Sequence, residues 1–384
     1  YLFFITIMKK HKICIVGGGL TGLISAIILD HKEVDIDLLI NNKKKNIKDL
    51  RSTAISEENF NFLKSNIKNL NTAQFNSVKK INLYYQGSKK ITNFLNFDGK
   101  KNLMFFFENE KFKLHLLKQI KKTRVNIINK EVKKVDISKN KIITKLSSKN
   151  YDLIILCLGS KSDIYQKILG NREINKNYNE QSITGNVRHN MGNLPAQQFF
   201  LKEGPLAILP YKKNHFSIVW SLGNKYYLKN KNNISLFVKN KLNNLFKFKK
   251  ITLSKIQSYP LSLSIKTNYF KKNILILGDG LHVIHPIAGQ GFNLILRDIR
   301  KIDELIKYNI RLGLPIKNSG ILKTFTNSRK PENFLLGIGI DSTRTFFKEN
   351  KYFDKLKENL LENFSRSETL KTISKRIANL GLNQ

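Results

Sequence analysis

Apolar positions near the start of the chain form a short run, Lys12–Val16, followed by a glycine cluster and a helical stretch from Leu20 to about Asp30. A second β-type run covers Ile36–Ile40. Strand, tight turn, helix and strand in that order predict the opening of a parallel nucleotide-binding sheet. Asn59–Ile81 reads as an interrupted helix. Lys111–Lys121 reads as a clearer one, because Phe112, Leu116, Leu117 and Ile120 recur at three-to-four spacing. Short alternating runs (Val125–Ile128, Lys141–Leu146, Leu153–Leu158) then lead to Gly159-Ser160, as a strand returning to the first sheet would. Between Tyr165 and Ile265 the pattern changes to short strands separated by turn residues, among them Phe199–Phe200, Leu206–Leu209 and Phe216–Trp220. Ile274–Leu277 is a buried strand, and Leu294–Ile306 a strongly periodic helix. The end of the chain is helical from about Ile321, with amphipathic stretches at Leu356–Phe364 and Leu370–Leu380.

These elements predict an α/β fold in four stretches: a Rossmann-type nucleotide-binding part over 8–165, a mainly β substrate domain over 166–268, a return to the nucleotide domain over 269–320, and a helical region over 321–384. A chain of 384 residues, 41% of them hydrophobic and 10% aromatic, can bury such cores and is not disordered.

Charge complicates the picture. The formal net charge is +40, which suits a surface attracted to nucleic acid, anionic lipid or acidic substrates. The simpler source is codon bias in a genome poor in G and C, since Lys, Asn and Ile crowd together in runs such as Asn41-Asn42-Lys43-Lys44-Lys45-Asn46. The lysines are dispersed over helices and loops without interleaved aromatics, so a specific nucleic-acid partner is not expected. Cys14 and Cys157 lie in apolar runs without partners at metal or redox spacing, which fits a reducing, cytoplasmic setting and no metal site. Tyr1–Ile7 is apolar but too short to span a bilayer, and Met8 reads as the start of the protein proper.

Two motifs carry the chemistry. Gly17-Gly18-Gly19-Leu20-Thr21-Gly22 follows a strand and opens a helix, the context that makes a G-x-G-x-x-G a dinucleotide site. Gly17 permits the tight turn, Gly19 lets backbone approach a pyrophosphate, and Gly22 allows close helix–strand packing. The helix N-terminus beside Leu20 and Thr21 offers free N–H groups to phosphate. About 20 residues on, where such sites place an acidic ribose ligand, stands Asn41, whose amide would bind a hydroxyl without charge assistance. The second motif is Gly278-Asp279-Gly280-Leu281-His282-Val283-Ile284-His285-Pro286-Ile287-Ala288-Gly289-Gln290-Gly291-Phe292-Asn293. Asp279 is placed to accept from a sugar or ribityl hydroxyl. The Ala288–Gly291 backbone can lie against a flat ring and feeds into a helix N-terminus suited to an anionic reduced flavin.

This segment, with the Leu296-Arg297-Asp298 that follows it, resembles the second FAD-binding motif of the class A aromatic-ring monooxygenases, and most of all that of the ubiquinone-biosynthesis hydroxylases. Other pieces agree in order: Arg51-Ser52-Thr53-Ala54-Ile55-Ser56 resembles the arginine-containing segment near the cofactor, and Glu108-Asn109 precedes a helix. Gly204–Pro210 with Trp220 resembles the central strand pair, and Arg329, Asp341 and Phe346-Phe347 the C-terminal pattern. The resemblance covers nearly the whole chain from Met8. It implies a p-hydroxybenzoate-hydroxylase-like fold and bound FAD held by Gly17, Gly19, Leu20, Thr21, Gly22, Asn41, Arg51, Asp279, Pro286, Gly289, Gln290, Gly291, Phe292 and Asn293. The chemistry it implies is reduction by NAD(P)H, reaction with O2 to a C4a-hydroperoxyflavin, and transfer of oxygen to a polyprenylated phenol. Such a substrate implies peripheral association with the inner face of the cytoplasmic membrane and a complex with other ubiquinone-biosynthesis proteins. At the reacting centre the resemblance places Pro286 and His285, although this oxygen chemistry needs no protein nucleophile, and His285 reads first as structural or flavin-adjacent. One departure stands out: the family carries Asp-Gly after the strand ending near 158, and this chain reads Leu158-Gly159. That puts its own recognition of the pyridine nucleotide in question.

Overall fold

The computed structural model describes residues 10–41, 49–87, 90–144, 148–160, 162–170, 172–317, 319–348, 354–369 and 372. The proposed start at Met8, the lysine run after Asn41 and, apart from residue 372, the stretch Leu370–Leu380 lie outside them.

The first strand β1 (His11–Val16), helix α1 (Leu20–Ile28) and strand β2 (Val34–Ile40) form as expected. Helix α1 is apolar on nearly every side, because it is sandwiched between the sheet and a second layer of helix: Leu23, Ile24, Ala26 and Ile28 are all buried. Strand β3 (Ser52–Ser56) leads into α2 (Glu57–Asn66), whose start is capped by the Ser56 hydroxyl accepting from the Asn59 N–H. The chain then departs from the periodicity reading. Instead of continuing as helix to Ile81 it turns into β4 (Asn76–Val78), β5 (Lys80–Gln86) and β6 (Ile91–Asp98). The run Lys80–Gln86 alternates in period two, and that pattern outweighs the weak helical one before it.

Strand β7 (Met104–Glu108) and α3 (Asn109–Ile120) follow, then β8 (Asn126–Asn129), the small meander β9 (Val132–Asp136), β10 (Lys141–Thr144) and β11 (Ser148–Asn150), β12 (Leu153–Leu156) and α4 (Asp163–Leu169). A long strand, β13 (Glu173–Arg188), opens the second sheet, joined by β14 (Ala196–Leu201), β15 (Gly204–Lys212) and β16 (His215–Gly223). Helices α5 (Asn224–Asn230) and α6 (Ile234–Phe246) interrupt it before β17 (Thr252–Leu253) and β18 (Gln257–Lys266). The chain returns through β19 (Phe270–Lys271), β20 (Ile274–Ile276) and β21 (His282–Val283), and ends in α7 (Gln290–Arg311), α8 (Ser319–Phe347) and α9 (Asp354–Arg366).

The first sheet runs β19-β20-β12-β1-β2-β8, with parallel pairing everywhere except at the β19 edge. The second runs β21-β18-β13-β16-β15-β14-β5-β6. Strands β5 and β6 therefore belong to the substrate sheet, with β5 parallel to β14 (Ile81 opposite Ala196, Tyr85 opposite Phe200). The boundary drawn from sequence at 165 is thus corrected: residues 80–98 cross over early, and the insertion also contains two helices. One face of this sheet buries Ile183, Leu206, Ile208, Ile218 and Trp220 beneath α6. The other faces the first domain.

Helix α7 ties the layers together through buried charge. The Asp298 carboxylate, fully buried, accepts from Arg329 Nε at 2.7 Å and Asn333 Nδ2 at 3.2 Å on α8, and meets His282 Nε2 at 2.8 Å. Glu332 pairs with Arg329 and, at 3.3 Å, with Arg297. Burial alone would raise the Asp298 pKa; Arg329 and His282 outweigh it and hold the group below the usual carboxylate range. Removing one member of such a network leaves an uncompensated charge. Asp298→Asn is therefore expected to lower the unfolding free energy by about 3–5 kcal/mol, read from urea melts; a change within about 0.5 kcal/mol would contradict this account.

Candidate active site

One cavity of about 1170 Å³ lies between the parallel sheet and the second sheet, and both sequence motifs open into it. Its nucleotide end is built by close approaches. A Cβ on Gly22 would lie 1.9 Å from the Gly17 carbonyl oxygen, and one on Gly17, at φ +132°, would lie 2.2 Å from that of Cys157. Only glycine lets α1 descend this far. Gly17 and Gly22 do not line the cavity; they set the height of the helix. Gly19, Leu20 and Thr21 do line it, and a Cβ on Gly19 would meet nothing within 4 Å. Gly19 is the N-cap of α1 and carries no side-chain cap, so the first N–H groups of the helix have no side-chain acceptor there. The second motif abuts the first, since a Cβ on Gly278 would touch Thr21 at 3.0 Å.

The second motif supplies Asp279, Pro286, Gly289, Gln290, Gly291 and Phe292 to the lining. Gly289, at φ +62°, is the N-cap of α7 and also has no side-chain cap. Two helix N-termini without side-chain caps thus share one cavity with an exposed acidic side chain, Asp279, a combination suited to a ligand carrying both phosphate and hydroxyl groups. The donor set fits FAD.

Arg51 lies at the same end. Its Nε and Nη2 donate to Asp49 Oδ1 and Oδ2 at 2.8 Å each, and its guanidinium sits 5.5 Å from the Tyr259 ring centroid. Asp49 also accepts from Asn109 Nδ2 at 3.1 Å, and Asn109 Oδ1 from the Thr53 hydroxyl at 2.6 Å. Bonding to Asp49 raises the Arg51 pKa, and Arg51 in turn lowers that of Asp49 against the opposing effect of burial. Sequence reading missed Asp49. The available signal was an acid two residues before Arg51 in a lysine-rich stretch.

Four expected ligands lie elsewhere. Asn293 is fully buried and its amide is consumed by protein: Oδ1 accepts from the Ser56 N–H (2.9 Å) and Asn59 Nδ2 (2.8 Å), and Nδ2 donates to the Gly289 (3.0 Å) and Ala54 (3.3 Å) carbonyls. It clamps β3 to the start of α7 and does not reach the cavity. Asn41, at the end of β2, is not among the lining residues either. With Gly17 and Gly22 described above, these are supports of the site and not its surface.

His285 does not reach the cavity, so the catalytic placement implied by the resemblance is corrected, while a structural role fits its position. Its ring lies behind the cavity wall, fully buried, with Nε2 at 3.0 Å from Glu180 Oε2. Arg344 Nη2 donates to the other Glu180 oxygen at 2.5 Å. Burial lowers the His285 pKa against the pull of Glu180, and the Glu180 pKa is lowered by His285 and Arg344 against burial. Its neighbour Pro286 does line the cavity.

Leu158, where the resemblance leads one to expect Asp, packs against the main core. Its backbone N–H donates to the Tyr165 hydroxyl at 2.7 Å, and the Tyr165 ring lies so close to Gly280 that a Cβ there would fall 2.4 Å from it. Cys157, Gly159 and Ser160 line the cavity at this point, without a carboxylate.

Beyond the Pro286–Gly291 loop the cavity continues over the second sheet. Its lining there is apolar, with Ile81, Leu83, Phe97, Leu103, Phe106, Phe200, Ala207, Leu209 and Val219, interrupted by Ser182, Thr184 and Gln198. The sequence pattern points to a substrate pocket in this domain but marks none of these side chains.

Comparison with known proteins agrees with this geometry. A family model described as an FAD binding domain matches residues 171–312. The chain is 30% identical over 189 residues to "Ubiquinone biosynthesis monooxygenase COQ6, mitochondrial" of Dictyostelium discoideum, covering 41% of this chain and 38% of that one. It is 28% identical over 155 residues to "3-demethoxyubiquinol 3-hydroxylase" of Escherichia coli K12, covering 40% of each. The chain thus spans about two fifths of the length of these curated relatives. Among solved structures, p-nitrophenol 4-monooxygenase PnpA from Pseudomonas putida superposes with a TM-score of 0.75 at 14% identity, over 95% of this chain and 98% of that one. PqsL, a probable FAD-dependent monooxygenase from Pseudomonas aeruginosa, superposes with 0.73 at 13% identity, over 93% and 99%. The chain resembles the FAD-dependent aromatic-ring monooxygenases in fold over nearly its whole length, and the ubiquinone-biosynthesis hydroxylases in sequence over two fifths of it.

Two outcomes test the site. Gly19→Ala, at φ −80° with open space around it, should leave the fold within about 1 kcal/mol of the parent and weaken FAD retention. Gly22→Ala should destabilise the apoprotein itself. Equal thermal stability of the two variants would refute this division of roles. In addition, the folded chain resists protonation at His285 and Glu180 more than the unfolded chain does, so stability should fall as pH drops below about 6.5. His285→Asn should flatten the upper part of that decline in urea melts at stepped pH.

Proposed function

We propose that this chain is an FAD-dependent monooxygenase that hydroxylates the ring of a polyprenylated phenol in ubiquinone biosynthesis. The observation that carries the reading is the single cavity that joins two helix N-termini without side-chain caps to a largely apolar sheet face. The similarity to ubiquinone hydroxylases narrows the substrate class.

In this reading the start of α1, with Gly19, Leu20 and Thr21, holds the pyrophosphate, and Asp279 accepts from a ribityl hydroxyl. The Gly289–Gly291 backbone would hold the flavin ring, and the N-terminus of α7 would supply positive potential to it. Arg51 is held in place by Asp49 and contributes positive charge to the same end. Bound flavin supplies the activation of O2; the protein orients the phenol and keeps water from the reacting face. Pro286 shapes the wall beside the flavin. His285 braces that wall through Glu180 and takes no proton from substrate.

NAD(P)H is the proposed source of electrons. Because Leu158 provides no carboxylate at the strand end, the alternative is delivery by a separate reductase. No helix among the described residues is long and apolar enough to cross a membrane. The net positive charge, with exposed Leu356 and Leu360 on α9, suits docking on an anionic membrane that holds the substrate.

Purified protein should show the two visible absorption bands of bound flavin. Anaerobic NADH or NADPH should bleach them, and reoxidation with a prenylated phenol under labelled O2 should place one labelled atom in the product. Bands that bleach only with an added reductase would assign electron delivery to a partner. Failure to retain or rebind flavin would overturn the proposal.

A further inference from the structure

The cavity face of the second sheet is divided by polarity in a way that sets the direction of a ligand. Strand register places Thr184 opposite Val219, Val219 opposite Ala207, Ala207 opposite Gln198 and Gln198 beside Leu83. These five residues form one row across five strands, and all of them line the cavity. Four strand spacings make the row about 19 Å long. Its β13 end is polar: Thr184 carries a hydroxyl, and Ser182 lies two residues away on the same face. Its β5 end is apolar, with Leu83, Ile81 on the same strand, and Phe97 on the neighbouring strand.

Thr184 stands apart within this row. It is 4% exposed, and its Oγ1 is buried without a hydrogen-bond partner. A buried hydroxyl in that state costs folding free energy unless a ligand satisfies it. The polar end adjoins the Arg51 segment, because the Arg51 guanidinium lies 5.5 Å from the Tyr259 ring and Tyr259 pairs with Ser182, while the Ile287–Gly289 turn packs on β15 in the middle of the row. At the opposite end the lining continues to Leu103, Asn102, Lys101 and Gly99, where Lys101 is exposed to solvent.

We infer that Thr184 is the hydrogen-bonding anchor for an oxygen substituent on the substrate ring, and that the hydrocarbon tail runs from there along the row to Leu83 and leaves beside Lys101. The inference rests on the phenol-hydroxylase reading and adds to it a specificity residue and a direction.

The test titrates FAD-loaded protein with tetraprenylphenol, tetraprenylbenzene and monoprenylphenol, following the absorption of the bound flavin. Thr184→Val should weaken both phenols about tenfold, leave tetraprenylbenzene unchanged and not lower the melting temperature. Thr184→Ser should restore binding. Leu83→Gln should weaken tetraprenylphenol several-fold and spare monoprenylphenol. Equal effects of Thr184→Val on phenol and benzene, or none on either, would overturn the anchor. An equal effect of Leu83→Gln on long and short tails would overturn the direction. If wild-type protein keeps its flavin but binds none of the three ligands, the phenol reading itself fails, and the inference with it.

Discussion

The close seating of α1 on the strands beneath it governs the rest of the molecule. Two glycines meet there with no room for a single methyl group, and Cys157 closes the contact from β12. That proximity brings the end of the helix level with the tips of β1 and β12. The loop after β20 can then reach Thr21, so two motifs separated by some 250 residues of chain share one wall. An α1 seated a few tenths of an ångström higher would separate them, because packed interiors do not absorb such shifts gradually.

Around this contact buried polar groups tie the elements together. One asparagine amide, that of Asn293 on α7, makes four bonds: two to β3, one to Asn59 of α2 and one to Gly289 at the start of its own helix. A second set, centred on Asp298, fixes α7 to α8. A third, Glu180 with His285 and Arg344, fixes the loop before α7 to the substrate sheet and to α8. The loop beside the cavity is thus anchored from several sides, with Asn293 bonding Gly289 within it and His285 tying it to Glu180. Buried networks of this kind are costly when incomplete and rigid when satisfied. A backbone meant to lie flat against a ring requires that rigidity.

Much of this was legible in the sequence, for definite reasons. The glycine motif and the following helix announced themselves because their spacing is dictated by backbone sterics, which any sequence of this fold must obey. The helical C-terminus and the central strands followed from periodicity. What sequence could not show was which side of a strand or loop each polar group would face. Asn293 and His285 sit in a segment that reads as cofactor binding from end to end, yet their side chains turn inward. Asp49 had only its place two residues before Arg51 to mark it, and Thr184 sits in a stretch without any pattern, so its place in the cavity wall became visible only when distant strands were brought together. The early strands of the substrate sheet were hidden for a related reason: period-two alternation in Lys80–Gln86 is short, and the strand that joins it and β6 to the sheet, β14, lies more than 100 residues away.

That long-range pairing has a consequence for how the protein can be divided. Strand β14 has β15 on one side and β5 on the other, so the substrate sheet is completed by chain that emerges from the nucleotide domain before the insertion begins. A fragment cut at the insertion boundaries would expose the edge of β14, with Phe199 and Phe200 on it, as an apolar strand seeking a partner. The two domains are therefore neither independent folding units nor exchangeable modules. Each must wait for chain from the other, an arrangement of high contact order that slows folding and leaves the sheet edge open to aggregation until both are in place.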